Sequence, residues 1–537
     1  MSRADWGEEE GLVADVLVIG GGMAGAWAAT AAAREGAHVV LVEKGYCGTS
    51  GATAAAGPGH WWAPPDPPEA RANAIAQRQR IAFGLGEPDW MRRVLDETWR
   101  LLPTLAQYYE FPKDDQGKVR NYRALRGPEY MRALRQQIVD LGVVVLDHSP
   151  ALELLAHADG AIGGAAGIRT QRGGSRWRIA AGAVILAAGG TSFRSHLLGS
   201  RNNTGDGYLM AAEAGAELSG MEFTAAYTVA PQHSTMTRTM SYAFADYFDA
   251  DGRQIDAPFG PDQTERLAQA LLAGPVYCSL ARLPEDVQRH LPTISPNVML
   301  PFARWGIDPF RERFEVTLHT DGTIRGIGGV RVRSEDCGAG IPGLYVAGDT
   351  ASRELVAGAS SGGGNVNSAW ALSSGTWAGR AAARRARRVP ASFGGLKALG
   401  GAGLRPSGRA RPASAAEAVA AVQAEMHPYD KNLFRTGKGL AASRRALDAV
   451  WSDLAAHAGG EGGTAALALR EAAALVASAR WSVATAEART ETRGMHRRLD
   501  HPALDADLTV RLIASGFDTV TVRPEAIAVP SPFESVA

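Results

Sequence analysis

Residues 15–43 read DVLVIGGGMAGAWAATAAAREGAHVVLVE. The first five form an apolar run suited to a buried parallel strand, and Gly20, Gly22 and Gly25 follow at G-x-G-x-x-G spacing. An Ala-rich segment over 23–35 is helical in character, Gly36 closes it, and 38–42 make a second apolar strand. That is a βαβ unit. Gly20 permits the tight turn out of the strand, Gly22 lets backbone approach a pyrophosphate, and Gly25 lets helix and strand pack closely. Phosphates then sit at the helix N-terminus, where unsatisfied N–H groups and the macrodipole favour negative charge. Glu43, ending the second strand, stands where an acidic side chain takes a ribose hydroxyl and repels a 2′-phosphate.

The chain of 537 residues is long enough for two or three domains. Lys+Arg and Asp+Glu both total 56, so no net field argues for nucleic acid or an anionic membrane. The amino terminus MSRADWGEEE lacks the apolar core of a signal peptide, and no apolar run is long enough for an integral membrane segment. A cytoplasmic location is the default expectation. Cys47, Cys278 and Cys337 are too few and too far apart for a four-cysteine cluster or a disulfide framework. His60, His148, His196 and His233 show no ligand spacing with them, so no metal is expected. The high Ala, Gly and Arg content reads as compositional rather than functional.

Residues 44–59, KGYCGTSGATAAAGPG, carry little side-chain bulk and can lie against a flat cofactor, offering backbone N–H groups with Thr49 and Ser50 as hydroxyl donors. A charged helical stretch is expected over 69–102, a helix over 130–141 and a strand over 143–147. Residues 151–178 read as a β-meander and 182–190 as a buried strand ending in paired glycines. Asp206 opens a helix, either as a turn residue or as a cofactor contact. The pattern loosens over 228–325, and buried-strand character returns at 338–349. Residues 388–415, rich in Arg, Pro, Gly and Ala, read as a linker or surface excursion. Helical periodicity over 416–496 breaks at HAGGEGG, and the last forty or so residues read as an irregular tail with one strand over 519–523.

Five stretches resemble one family, the succinate dehydrogenase and fumarate reductase flavoproteins, including its adenylylsulfate reductase and L-aspartate oxidase branches. They are VIGGGMAGAWAA…VLVEK, GTSGATAAAG, NTGDGYLMAAEAGAELSGMEF, GIPGLYVAGD and ARTETRGMHRR, in the family's order. The resemblance implies FAD and an α/β architecture: a Rossmann-like FAD-binding domain built from discontinuous segments, an inserted α+β capping domain and a C-terminal helical domain. The implied bounds are 1–228 and 338–387 for the FAD-binding domain and 229–337 for the cap. A linker over 388–415, a helical domain over 416–498 and a C-terminal tail over 499–537 follow. By position, Gly20, Gly22, Gly25, Glu43, Lys44, Thr49, Ser50 and Gly57 would touch the cofactor. So would Ala151, Asp206, Gly348, Asp349 and Asn365, with Ala187 and Gly189 on the phosphate side. Some family members attach FAD to a histidine just after the serine of the small-residue run. Gly51 and Ala52 stand there in this chain, so non-covalent FAD is expected.

The departures bear on the substrate. The family's dicarboxylate enzymes follow the MEF motif with a carboxylate-binding histidine, where this chain has Tyr227. Their late histidine and arginine give way to Ala357 and Ser361, and Ser241 aligns with their proton-delivering arginine. An arginine–carboxylate pair is a bidentate, charge-assisted contact. Without those anchors succinate and fumarate are not the expected substrates, and the chamber reads as stripped of arginines. Candidate catalytic side chains are Tyr227, His233, Tyr242 and His319, with Trp61 and Trp62 as walls. Tyr227 reads equally as an acid–base group or a packed aromatic, and His319 equally as a substrate-facing group or a turn histidine bonded to Asp321. Arg493 and His496 are expected to dock the helical domain.

The leading expectation is an FAD-dependent dehydrogenase or oxidase acting by hydride transfer on a small organic molecule. The alternative is the flavoprotein component of a two-component reductase working with a separate ferredoxin-like iron–sulfur protein. A third reading is an electron-carrying flavoprotein with no substrate of its own.

Overall fold

The computed structural model describes residues 10–527 apart from 124, 236–239, 261, 407, 409–412 and 459–462. The extreme amino terminus, residues 459–462 within HAGGEGG, part of 388–415 and the last ten residues lie outside the described residues.

The quoted stretch folds as a strand Glu10–Ile19, a helix Met23–Arg34 and a strand Val39–Val42. Strand Val39–Val42 is wholly buried, as an apolar run between helices must be. These strands are the parallel half of an eight-stranded sheet, in which Glu10–Ile19 lies between Val39–Val42 and Ser175–Leu186. Val144–Leu146 extends it beyond Val39–Val42, and Leu344–Val346 pairs with the end of Ser175–Leu186.

The expected meander and the following strand are continuous. Ser175–Leu186 begins antiparallel to Ile162–Arg169 and finishes parallel to Glu10–Ile19. Gly182, which reads as a strand start, lies inside it: a Cβ there would press on the Val389 carbonyl and on Ala386. The glycine serves a close helix approach, not a chain break.

Two alanine-rich helices set the geometry of the FAD-binding domain. Helix Gly363–Ala386 crosses Met23–Arg34 so closely that Cβ atoms at Gly375 and Gly379 would overlap the carbonyl oxygens of Ala24 and Ala28. Ala24, Ala28 and Ala32 are buried in this seam. The small residues that read as compositional therefore have a packing role, because only small side chains let two backbones approach so closely.

The cap is a five-stranded antiparallel sheet, ordered Gln254–Ile255, Asp246–Phe248, Val276–Ser279, Phe314–Thr320, Tyr227–Pro231. Helices Gln263–Ala273, Glu285–Ile294 and Pro296–Trp305 accompany it. Its strands span 227–320; after Thr320 the chain turns back, and Gly329–Val330 pairs with Leu218–Ser219 outside the cap.

Three further expectations meet a different structure. The charged stretch is two helices, Pro68–Ile81 and Pro88–Leu101, parted where Phe83 and Gly84 take positive φ. The tail carries two strands: Val510–Ser515 pairs with both Thr521–Ala526 and Leu218–Ser219. Thr521–Ala526 is the strand expected over 519–523, shifted to run on through Pro524, which is tolerated at the sheet edge; Val510–Ser515 is the unexpected one. The linker is partly fixed, since Lys397–Ala398 pairs with Ala151–Ala156 and Arg405 Nη1 lies 2.6 Å from the buried Glu153 carboxylate.

Helices Ala415–Met426, Gly437–His457 and Thr464–Ala488 form the helical domain; the Ser414 and Thr436 side chains cap the first two. The TETRGMH segment joins it to the hinge of the cap. Arg489, fully buried, donates to Glu222 at 2.9 Å and Glu491 at 2.8 Å, and Arg493 donates to Glu491 at 2.6 Å. His496 Nδ1 accepts from Arg435 at 2.7 Å, giving Arg493 and His496 the geometry of docking groups.

Gly379→Val puts a branched side chain where the Ala28 carbonyl stands. The expected outcome is a loss of about 1–3 kcal/mol in unfolding free energy together with weaker FAD retention, measured by denaturant unfolding and by flavin absorbance after gel filtration.

Candidate active site

The first turn and the N-terminus of helix Gly363–Ala386 open into one cleft of about 540 Å³. Gly20 has φ +108, and a Cβ there would overlap the Ala187 carbonyl oxygen. Gly25 is not on the cleft wall; it lies beneath the turn, where a Cβ would overlap the Gly20 carbonyl oxygen. Gly22 does line the cleft, and a Cβ there would meet no protein atom within 4 Å. Its space belongs to whatever occupies the cleft.

Glu43 also lines the cleft, with both oxygens anchored. Oε2 accepts from the Gly21 N–H at 2.6 Å and Oε1 from the Gly45 N–H at 2.8 Å, which fixes the carboxylate while each oxygen keeps another lone pair. Lys44 pairs with Asp206 and donates to Glu471 and to the Thr204 hydroxyl, both at 2.8 Å. Burial alone would lower its pKa, but the two carboxylates outweigh burial and leave it raised. Because Glu471 belongs to helix Thr464–Ala488, this ammonium ties the cleft wall to the helical domain.

The other expected cofactor residues divide simply. Ser50, Gly57, Ala151, Ala187 and Gly189 line the cleft, as do Asp206, Gly348, Asp349 and Asn365. Thr49 does not; its N–H bonds the Tyr46 carbonyl within the loop. Asp349 pairs with the fully buried Arg353, and burial raises its pKa against the pull of Arg353 and Arg325. Gly51 and Ala52 are on the wall, and a Cβ at Gly51 would meet nothing within 4 Å.

The structure places the four expected catalytic side chains away from the cleft wall. The Tyr227 hydroxyl donates to the His427 carbonyl at 3.2 Å, its ring stands edge-on to Tyr429, and burial pushes its pKa up. His319 Nε2 donates to the Ser234 carbonyl at 2.9 Å; burial lowers its pKa, and its ring neighbours His196 rather than the anticipated Asp321. His233 is exposed in a turn at φ +60, and Tyr242 is buried among cap residues. Trp61 is half-buried with its N–H on the Asn365 carbonyl, and Trp62 stacks on Trp99 at 4.2 Å. Tyr227 opens the cap strand Tyr227–Pro231, and the direction of its side chain depends on the helical domain behind it.

Among the lining residues that sequence reasoning missed are Phe259, Ile324 and Arg325. The last two belong to TIRGIGG, where the chain leaves the cap, and the arginine one residue before G-x-G-G was the available signal. Arg325 also corrects the expectation of a chamber stripped of arginines.

Residues 15–254 match a family model described as an FAD binding domain, and residues 423–524 match one described as the fumarate reductase flavoprotein C-terminus. The chain belongs to the succinate dehydrogenase and fumarate reductase flavoprotein family. It is 26% identical over 402 residues to one subunit of the fumarate reductase (CoM/CoB) of Methanothermobacter marburgensis, covering 67% of this chain and 70% of that one. It is 28% identical to L-aspartate oxidase of a Nostoc species over 34% of each chain. The fold is that of Mycobacterium smegmatis Sdh1 in complex with UQ1, with a TM-score of 0.80, 23% identity and coverage of 97% and 96% of the two chains. The protein is accordingly an FAD-dependent oxidoreductase. Its own geometry fits the cofactor: an open space over Gly22 at a helix N-terminus, an anchored acid at Glu43 and a strap of small residues share one cleft.

Gly22→Asp is expected to leave the apo-protein folded but flavin-free, whereas Gly25→Val is expected to lower its melting temperature as well. Thermal unfolding and flavin absorbance of both variants check this contrast. A second test concerns His60, which follows the strap, is buried with Nε2 at 3.3 Å from the Tyr130 hydroxyl, and has its pKa pushed down to about 3 by burial. The unfolded chain, with a histidine pKa of about 6.5, binds the proton first. The contribution of His60 is therefore complete above about pH 6.5 and is lost towards pH 3, at up to about 1.4 kcal/mol per pH unit. His60→Phe should give a flatter stability profile between pH 6.5 and 4 in denaturant titrations.

Proposed function

We propose that this chain is a cytoplasmic dehydrogenase or oxidase that transfers hydride between non-covalently bound FAD and a small organic substrate other than succinate or fumarate. The carrying observation is the missing dicarboxylate grip. Tyr227 turns its hydroxyl to the His427 carbonyl, and Ala357 and Ser361 stand where the family's clamp would be. The carbonyls of Ala357, Ser360 and Ser361 accept from Arg78. That guanidinium therefore braces the loop.

FAD, when bound, supplies a two-electron acceptor or donor. The chain's own part is to position it through Gly22, Glu43 and the N-terminus of helix Gly363–Ala386, and to exclude water beneath the cap. Non-covalent attachment is supported by the absence of any side chain at Gly51 and of a reactive one at Ala52. A second reading has the chain exchange electrons with a separate iron–sulfur protein of ferredoxin type. It is favoured by the Methanothermobacter relative, which is named as one subunit of its enzyme.

Acid precipitation is expected to leave all yellow colour in the supernatant; flavin in the pellet would contradict non-covalent binding. The holo-protein should neither reduce a dye with succinate nor oxidise reduced viologen with fumarate. Turnover with either would overturn the substrate reading.

A further inference from the structure

The loop over 191–205 gives Leu197, Leu198, Asn202 and Asn203 to the cleft wall. Two other domains hold the same loop. From the cap, the Thr320 carbonyl accepts from Ser195 Oγ at 2.6 Å. From the helical domain, Gln423 Nε2 donates to the Arg194 carbonyl at 3.1 Å and His427 Nε2 to the Phe193 carbonyl at 3.0 Å. Three histidines stand at this junction, one from each part: His196 on the loop, His319 on the cap strand Phe314–Thr320 and His427 just after helix Ala415–Met426. The His196 ring is exposed, and its centroid lies 5.2 Å from that of His319.

His319 and His427 each commit an Nε2 proton to a carbonyl, of Ser234 and of Phe193, so in the neutral ring Nδ1 carries only a lone pair. A second proton there makes a cation. Burial lowers the pKa of both rings; His196 lowers both further, and His427 also lowers that of His319, against the pull of the two carbonyls. The charged side chains on the same elements are committed to one another. Arg194 pairs with Glu471, Asp321 with Arg325 and the Thr228 hydroxyl, and Lys431 with Glu425; none of them is among the groups that shift either ring. Tyr227 and Tyr429 bring only hydroxyls, to the His427 carbonyl and to the Leu318 backbone, while His233 and Asp430 are exposed.

We propose that His196, His319 and His427 form a proton-operated latch, which fastens the 191–205 loop, and with it one wall of the cleft, to the cap and the helical domain. When the loop is released the rings stand in water with the ordinary histidine pKa of about 6.5, so the released state binds protons before the fastened one does. The fastening is therefore complete above about pH 6.5 and is lost as the pH falls below it. Charge then gathers on neighbouring rings with no acid acting on them, and the loop parts from the cap. Acidification loosens the cleft wall while the parallel sheet behind it stays folded.

The test is amide hydrogen exchange of the holo-protein, read by mass spectrometry at pH 7.5, 6.5 and 5.5 and corrected for the intrinsic pH dependence of exchange. Peptides from 191–205 and 314–320 are expected to lose about tenfold in protection between pH 7.5 and 5.5, while strand Glu10–Ile19 changes less than about twofold. Glutamine keeps an N–H donor for the Ser234 and Phe193 carbonyls but takes no charge. The double variant His319→Gln/His427→Gln should therefore keep its protection at pH 7.5 and lose less than about threefold by pH 5.5. His196→Gln alters only an exposed ring and should at least halve the loss seen in the unaltered protein; if the double variant is already loose at pH 7.5, this single variant decides. Protection that holds down to pH 5.5, equal loss in the loop and in Glu10–Ile19, or an undiminished loss in His196→Gln would each overturn the proposal.

Discussion

The contact of Gly375 and Gly379 with the Ala24 and Ala28 carbonyls is the constraint on which the rest of the FAD-binding domain depends. It fixes the crossing of helices Met23–Arg34 and Gly363–Ala386, and so brings two helix N-termini, far apart in sequence, to one cleft. Each N-terminus supplies unsatisfied N–H groups and positive partial charge. The Gly348 segment is fastened to the same helix: its N–H donates to the Ser374 hydroxyl at 3.0 Å and its carbonyl accepts from Trp370 Nε1 at 3.1 Å. The cleft is thus an outcome of backbone proximity, and bulky side chains along this seam would remove it.

Around that seam, buried ion pairs join the domains. The Lys44, Asp206 and Glu471 group, extended by Arg194, fastens helix Thr464–Ala488 to the cleft wall. Arg489, Glu222, Glu491 and Arg493 do the same beside the strand where the cap begins. Charges this deeply buried are costly unless every partner is present, so they specify one domain arrangement more than they add stability. Tyr227 belongs to this interface, through the His427 carbonyl, rather than to the chamber.

Much of this was legible in the sequence because the first βαβ unit carries its own grammar: strand, spaced glycines, helix, strand, acid. The residues that read as cofactor contacts from backbone demands, such as Gly20, Gly22 and Glu43, lie on the cleft, since small size and position determine where they sit. Gly25 packs beneath the turn, as its spacing requires, but does not reach the cleft wall as the expected cofactor contact. The side chains read as catalytic did not come to the wall. Tyr227 is oriented by His427, 200 residues away, and His319 by Ser234, 85 residues away; local pattern is silent on such contacts. Arg325 escaped notice for the converse reason: its place on the wall comes from a turn fixed by Thr191 and Arg353. The strand expected over 519–523 runs on to Ala526 because its edge position tolerates Pro524, whereas Val510–Ser515, whose partner Leu218–Ser219 is distant in sequence, was not legible.

A crystal structure of the holo-protein is the most direct measurement. Flavin density should run with its pyrophosphate over Gly22, its adenosine ribose on Glu43 and its ring between the 57–59 strap and Asn365, with the Gly51 side unattached. Density in the reverse direction, a nucleotide bearing a 2′-phosphate at Glu43, or flavin joined to the chain on the Gly51 side would contradict this picture.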